Sequence, residues 1–488
     1  MKKGEIIFLV VVSIIVFLVI YSPHFSNRFP LHLDEWHHIT EAMNFRDGNY
    51  EFVGRDGYIT KGFEIGFHIL LVIFSLFFNL IFSYQYLAGI FGVISSLILF
   101  FVVYKKSGSY SLGIFSMIFF ASIKTNANLL GLNYFVPLTF AIPFIFLYLY
   151  FFSEGLRLEN KKYIIYSILI MTGLLFFHSV SVLFAIPILI IYSLFYLKYI
   201  KKEYKFFMWF LIVVLVGILF YFFMEKVSIV NLFPSLISDL EFKYGWGVYE
   251  INNSFFEVYS LIGYIFAGLG LYELLINSKI RKKYLVFIIY PLYLLLIIFI
   301  FKIFKTSFLS PFQRNLYYFV LGMPVLSAFG LKFVYRIVIR DFEKFEIREK
   351  LRKNLKLLVY IIIIVVVLFF SFYSYNKQTN DIKIYQTIDE KSFKALEYLK
   401  QLPTTTIMTP LINAPAVYPI SGHKPVGTIW FYGNELDVRR FYAATNCEDA
   451  DNILKEHEVK YILTQIPFSC NWTIIYEDKY FIYERDFN

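Results

Sequence analysis

YITKGFEIGFHILLVIFSLFFNL, residues 58–80, is the stretch on which the fold turns. Its apolar part, 62–82, is long enough to cross a bilayer, which takes about 20 mainly apolar residues. If it crosses, Lys105 and Lys106 fall outside and every later loop inverts. If it instead lies in the outer interface, with Lys61, Glu64 and His68 at its charged end, the loops alternate in the opposite sense. Eleven other segments read as spans: roughly 5–21, 84–104, 109–124, 134–152, 163–178, 180–197, 206–223, 257–277, 284–301, 315–331 and 355–374. On the surface-helix option the inner loops carry 24 Lys and Arg, and the outer loops before the last span carry 10. Cytoplasmic loops are the ones enriched in these residues. The split selects about eleven crossings, with the N-terminus inside and the C-terminus outside.

Composition supports a lipid-solvated chain. Of 488 residues, 58% are hydrophobic and 17% charged, against roughly 45–50% and ~25% in ordinary globular proteins. Mean hydropathy is +0.61. Disordered, collagenous and disulfide-scaffold classes are excluded. The net charge is +10, but the basic residues are spaced between apolar runs and form no patch, so they signal topology and no nucleic-acid partner is expected. No small-x-small cleavage site follows Tyr21, so the first span reads as an uncleaved anchor. No matched pair of broken helices stands out, which argues against a secondary transporter.

Residues 1–375 therefore read as a transmembrane domain with a first outer loop at 22–83, and 376–488 as a small extracytoplasmic α/β domain. In the latter, DEKSFKALEYLKQL (389–402) has helical spacing, TTTIMT (404–409) and VKYILT (459–464) are strand-like, 448–457 is a short helix, and 473–485 is a hairpin. The two cysteines, Cys447 and Cys470, both fall there. An oxidising exterior permits a disulfide, the alternative being two buried thiols. Sequons at Asn252 and Asn471 lie outside on the same topology.

Charge beside apolar segments is costly and therefore informative. The densest cluster is HLDEWHHITEA, residues 32–42. A helix over 33–45 puts Asp34, His38 and Glu41 on one face by i, i+4, i+7 spacing, with Trp36 and Ile39 free to press toward lipid. Asp34 and Glu35 could serve as a general base; His37 and His38 could orient a substrate. The same residues could hold a metal, through Asp34 with His38 or His32 with Asp34, though no HExxH motif is present. The alternative is a wet interfacial helix with solvated charges. Glu64 and His68 stand one turn apart beside Lys61. His178 ends the fifth span, where a hydrogen-bonded core histidine is the plainer expectation. Arg314 opens the tenth span, suited to a bidentate grip on phosphate or to snorkelling toward headgroups. Every candidate lies at one membrane face.

An acidic pair just after the first span, a surface-lying apolar helix, basic inner ends on later spans, an arginine opening a late span and a small external C-terminal domain together resemble the GT-C class of polytopic glycosyltransferases. That class includes the protein O-mannosyltransferases and lipid A aminoarabinose transferases. The ending, IMTPLINAPAVYPISGHKP (407–425) and ILKEHEVKYILTQ (453–465), is also similar. The resemblance implies that Asp34 matches the class's catalytic base, and that Lys61 and Arg314 match the residues holding a polyprenyl-phosphate donor. The WWDYG-type motif of oligosaccharyltransferases is absent, which argues against transfer of a whole oligosaccharide to asparagine. The expected reaction is sugar transfer from a dolichyl- or undecaprenyl-phosphate donor to a hydroxyl on a lipid, glycan or protein, with inversion. No metal is required in principle, and the histidine-rich loop allows a divalent ion. The rivals are a polysaccharide polymerase or ligase, and a lipid-linked sugar flippase or transporter.

Overall fold

The computed structural model describes residues 2–48, 64–125, 129–209, 241–243, 255–343, 386–429 and 433–485, with isolated helical residues at 212 and between 358 and 369. It divides into two compact units. One comprises Met1–Val19, Gly92–Gly131 and Ala141–Lys377; the other comprises Ile20–Phe91, Leu132–Phe140 and Gln378–Asn488.

A chain in hydrocarbon must satisfy its N–H and C=O groups internally, so the apolar runs become helices. In chain order α1 (Lys3–Tyr21), α2 (Leu33–Arg46), α3 (Ile65–Ser75), α4 (Leu80–Ser107), α5 (Tyr110–Ala121), α6 (Pro137–Arg157) and α7 (Lys161–His178) open the chain. Five described helices are long and apolar enough to cross a membrane: Lys3–Ser26, Leu80–Ser107, Pro137–Arg157, Ser278–Phe304 and Phe312–Ile339. Shorter apolar helices include α5, Val180–Leu194 and Leu261–Ile276. The protein is an α-helical polytopic membrane protein with a small C-terminal sheet domain. The expected spans at 206–223 and 355–374, the sequon at Asn252 and Lys61 lie largely or wholly outside the described residues.

Among the described residues of 62–82, no helix is long enough by itself to cross a membrane. Helix α3 has 11 residues, a rise of about 16 Å against a hydrocarbon core of ~30 Å. Phe67, His68 and Leu71 are buried while Ile69 and Ile73, and Leu76 to Phe78 just beyond, are exposed. A short helix apolar on its outward face suits the acyl–headgroup boundary.

In the first unit, the helices Leu261–Ile276 and Phe312–Glu343 touch backbone to backbone. A Cβ on Gly270 would lie 1.9 Å from the Leu326 carbonyl oxygen, and one on Gly330 would lie 1.9 Å from that of Phe266. Small residues allow this approach in membranes, where apolar burial gives helices little reason to associate. At the ends of α4 and α6, Lys106 is buried against Glu154, which also pairs with Arg157. Lys106 Nζ donates a further bond to Ser153 Oγ at 3.1 Å.

In the second unit, strands β3 (Thr406–Met408), β4 (Lys424–Pro425), β5 (Val459–Thr464), β6 (Thr473–Glu477) and β7 (Phe481–Glu484) form one sheet in the order β4-β3-β5-β7-β6. The strands β1 (Glu241–Lys243) and β2 (Thr306–Phe308), which pair antiparallel, belong to the first unit. β3 runs parallel to β4 and β5, and β7 pairs antiparallel with β5 and β6. Met408, Val438, Phe441, Leu454, Ile462 and Tyr483 form the core beneath it. Helix Glu390–Leu399 is capped by Asp389, whose side chain accepts from Ser392 N–H at 2.8 Å.

Cys447 and Cys470 form a disulfide across a separation of 23 residues. Closing a loop of that length removes denatured-state entropy equivalent to about 3 kcal/mol in the chain-entropy model. Cys447→Ser is expected to lower the stability of this domain by roughly that amount, read as a lower melting temperature under non-reducing conditions. An unchanged melting temperature would mean the bridge adds nothing.

Candidate active site

Helix α2 begins where a reciprocal cap closes. His32 stands at the N-cap in an extended conformation, and its Nδ1 accepts from Asp34 N–H at 3.0 Å. Accepting there fixes the ring with its proton on Nε2. Glu35 answers from the third helical position: its Oε2 accepts from His32 N–H at 3.1 Å and from Leu31 N–H at 2.8 Å. Its other oxygen accepts from Phe135 N–H at 2.8 Å, a residue 100 positions further on. Glu35 is 1% exposed. Burial pushes its carboxyl up to about 8, against the downward pull of these three N–H donors. Both oxygens hold the loop main chain, so Glu35 positions its neighbour.

That neighbour is placed differently. The Asp34 side chain is 24% exposed, and its Oδ1 lies 3.9 Å from His32 Nδ1. A carboxylate in the first turn of a helix meets the positive end of the helix dipole and the free N–H groups there. Of the acidic pair, Asp34 is the one whose side chain reaches solvent.

The rest of α2 is enclosed. Trp36 and Ile39 are fully buried, contrary to the expectation that they press toward lipid. The reason is that α3 and the helix Ala414–Ser421 both pack on α2, and Thr40 Oγ1 donates to the Pro415 carbonyl at 2.6 Å. His37 is buried, with its ring centroid 5.6 Å from that of His38. His38 Nδ1 lies 3.1 Å from His68 Nε2 and 4.0 Å from Glu64 Oε2. A cation-ligating group drawn from these residues therefore keeps His38 but takes Glu64 and His68 in place of Asp34.

The fold of this chain is similar to that of several solved structures. ArnT from Cupriavidus metallidurans bound to undecaprenyl phosphate superposes with a TM-score of 0.59 at 12% identity, over 99% of this chain and 98% of that one. The Archaeoglobus fulgidus oligosaccharyltransferase AglB, in complex with an inhibitory peptide and a dolichol-phosphate, gives 0.58 at 13% identity, over 95% of this chain and 69% of that one. A further structure of the Archaeoglobus fulgidus oligosaccharyltransferase, in complex with Zn and sulfate, gives 0.51 at 12% identity, over 93% and 67%. These proteins and this chain share one fold. The resemblance to the GT-C class holds at that level. No protein-family model matches the sequence, and no curated protein matches it.

The remaining candidates sit in the first unit. Arg314, in the first turn of Phe312–Glu343, donates from an Nη to the Leu129 carbonyl at 2.6 Å and is half-buried. His178, buried at the end of α7, shares a 2.7 Å hydrogen bond with Ser181 Oγ, which lies 3.0 Å from the Tyr318 hydroxyl. His68 was the residue least visible as a partner for α2: its spacing from Glu64 is legible, but its approach to His38 is a tertiary contact.

Proposed function

We propose that this chain is a membrane glycosyltransferase that moves a sugar from a polyprenyl-phosphate donor, dolichyl or undecaprenyl, to a hydroxyl acceptor at the outer face of the cell membrane. The observation that carries it is the division of labour at 34–35: a partly exposed carboxylate at a helix N-terminus, beside one buried and held by three main-chain N–H groups. Asp34 takes the acceptor proton as the hydroxyl oxygen attacks the anomeric carbon. The bond from that carbon to the phosphate oxygen breaks, its electron pair leaves on the phosphate, and the centre inverts. Arg314 and Lys61 are assigned to neutralising the departing phosphate, His37 and His178 to binding or orienting substrate, and His38 and Glu64 to orienting it through the placement of α2.

Residues 1–375 form the catalytic membrane domain on this proposal, with a cytoplasmic N-terminus, and 376–488 form an extracytoplasmic domain. The disulfide in the latter supports an exterior location, since such bonds persist in oxidising compartments. The likeness of fold to ArnT and AglB, solved with undecaprenyl phosphate and a dolichol-phosphate, supports the donor class.

The deciding experiment incubates the purified full chain with radiolabelled dolichyl- and undecaprenyl-phosphate sugars and hydroxyl acceptors. Label is expected to move to the acceptor with release of polyprenyl phosphate. No consumption of any donor, or transfer across proteoliposomes without product, would overturn the proposal. Arg314→Ala is expected to weaken donor binding more than Arg314→Lys, because lysine keeps the charge and loses the planar fork. Equal losses would assign Arg314 a structural role through the Leu129 carbonyl.

A further inference from the structure

Two imidazoles and a carboxylate from separate helices meet beside α2. Glu64 immediately precedes α3, and His68 follows it by one turn on the same side. From α2, His38 brings Nδ1 to 3.1 Å from His68 Nε2 and 4.0 Å from Glu64 Oε2. One ligand atom from each of the three residues lies within 4.8 Å of the others.

We propose that His38, Glu64 and His68 bind a zinc ion that clips the start of α3 to α2. Zinc ligands at ~2.1 Å in a tetrahedral arrangement stand about 3.4 Å apart, close to the spacing of these atoms. A hydrogen-bonded imidazole pair explains the 3.1 Å contact alone; the carboxylate oxygen at 4.0 Å from the same nitrogen completes a three-ligand set. The donor chemistry selects the metal. Magnesium and calcium take oxygen ligands, whereas two imidazoles with one carboxylate suit zinc with a fourth position open. The imidazoles are buried and the Glu64 side chain is 31% exposed, which leaves the ion an entrance. His38 lies one helical turn beyond Asp34, so the ion would fix the segment that carries the proposed base. The site stands on its own geometry and does not depend on glycosyl transfer.

The test uses the purified full chain, stripped with a chelator, re-equilibrated with zinc and desalted, with metal content measured by mass spectrometry. About one zinc per chain is expected. His38→Gln, His68→Gln and Glu64→Gln should each weaken zinc affinity at least ~100-fold, beyond the ~10–100-fold typical of losing an outer-shell partner. His457→Gln, in the other group of possible ligands, Asp437, Glu456 and His457, should leave it unchanged. X-ray absorption on the unsubstituted protein, which needs no variant to fold, should show two imidazoles among the ligands. Failure of the stripped protein to take up zinc, uptake unaffected by both histidine substitutions, or an imidazole-free absorption spectrum would overturn the site.

Discussion

Asp34→Asn is expected to lower glycosyl transfer by about 10²–10⁴-fold, the range a positioned general base supplies, with no loss of membrane insertion. Asparagine matches aspartate in size, and the bond that Asp34 makes to His32 is donated by its main-chain N–H, which the substitution leaves in place. The side chain is partly exposed, so stability should change by no more than ~0.5 kcal/mol. What the amide lacks is a lone pair basic enough to take the acceptor proton. The measurement is turnover at saturating donor alongside a thermal melt in detergent. A variant that folds normally and turns over at near the parent rate would remove Asp34 from the base role.

Glu154→Gln should have the largest effect on stability, a loss of about 3–5 kcal/mol. The Lys106 side chain has no solvent exposure, and its carboxylate partner is only 5% exposed. Without that carboxylate the ammonium keeps Ser153 but no counter-charge from Glu154, and a buried charge stripped of its partner is far more costly than a surface one. Arg157, 30% exposed, can turn to water and adds less. Replacing the pair together, Lys106→Met with Glu154→Leu, should recover most of the loss, because apolar side chains of similar volume need no compensation. If Glu154→Gln melts within a degree of the parent, the pair is solvated in a way its burial denies.

Much of this architecture was legible from residue order. The basic residues flanking the spans favour 62–82 as a surface segment, and α3 within it has only 11 residues. The strand at 459–464 and the hairpin at 473–485 announced themselves by alternation. Two helices in the same domain did not. Ala414–Ser421 carries Pro415 and Pro419, which mask helical spacing. Glu435–Ala443 is short and polar, and its signal is local: Asn434 caps it through Asp437 N–H. In the candidate site, the helix over 33–45 followed from pattern, but the fate of its side chains did not. Glu35 is locked by the main chain of Phe135, and Trp36 is covered by elements distant in sequence. Such contacts carry no periodic trace, so pattern could name the acidic pair and could not separate its members.

The glycine contact between Leu261–Ile276 and Phe312–Glu343 has a mechanical consequence. With carbonyl oxygens of each helix lying where the other would carry a methyl group, there is no cushion of side chains to shear. A slide of one residue would drive a neighbouring Cβ into main-chain oxygen, so the two helices behave as a single strut. Arg314 stands in the first turn of one of these helices, so its position moves with the pair. A displacement of either helix would carry the other with it.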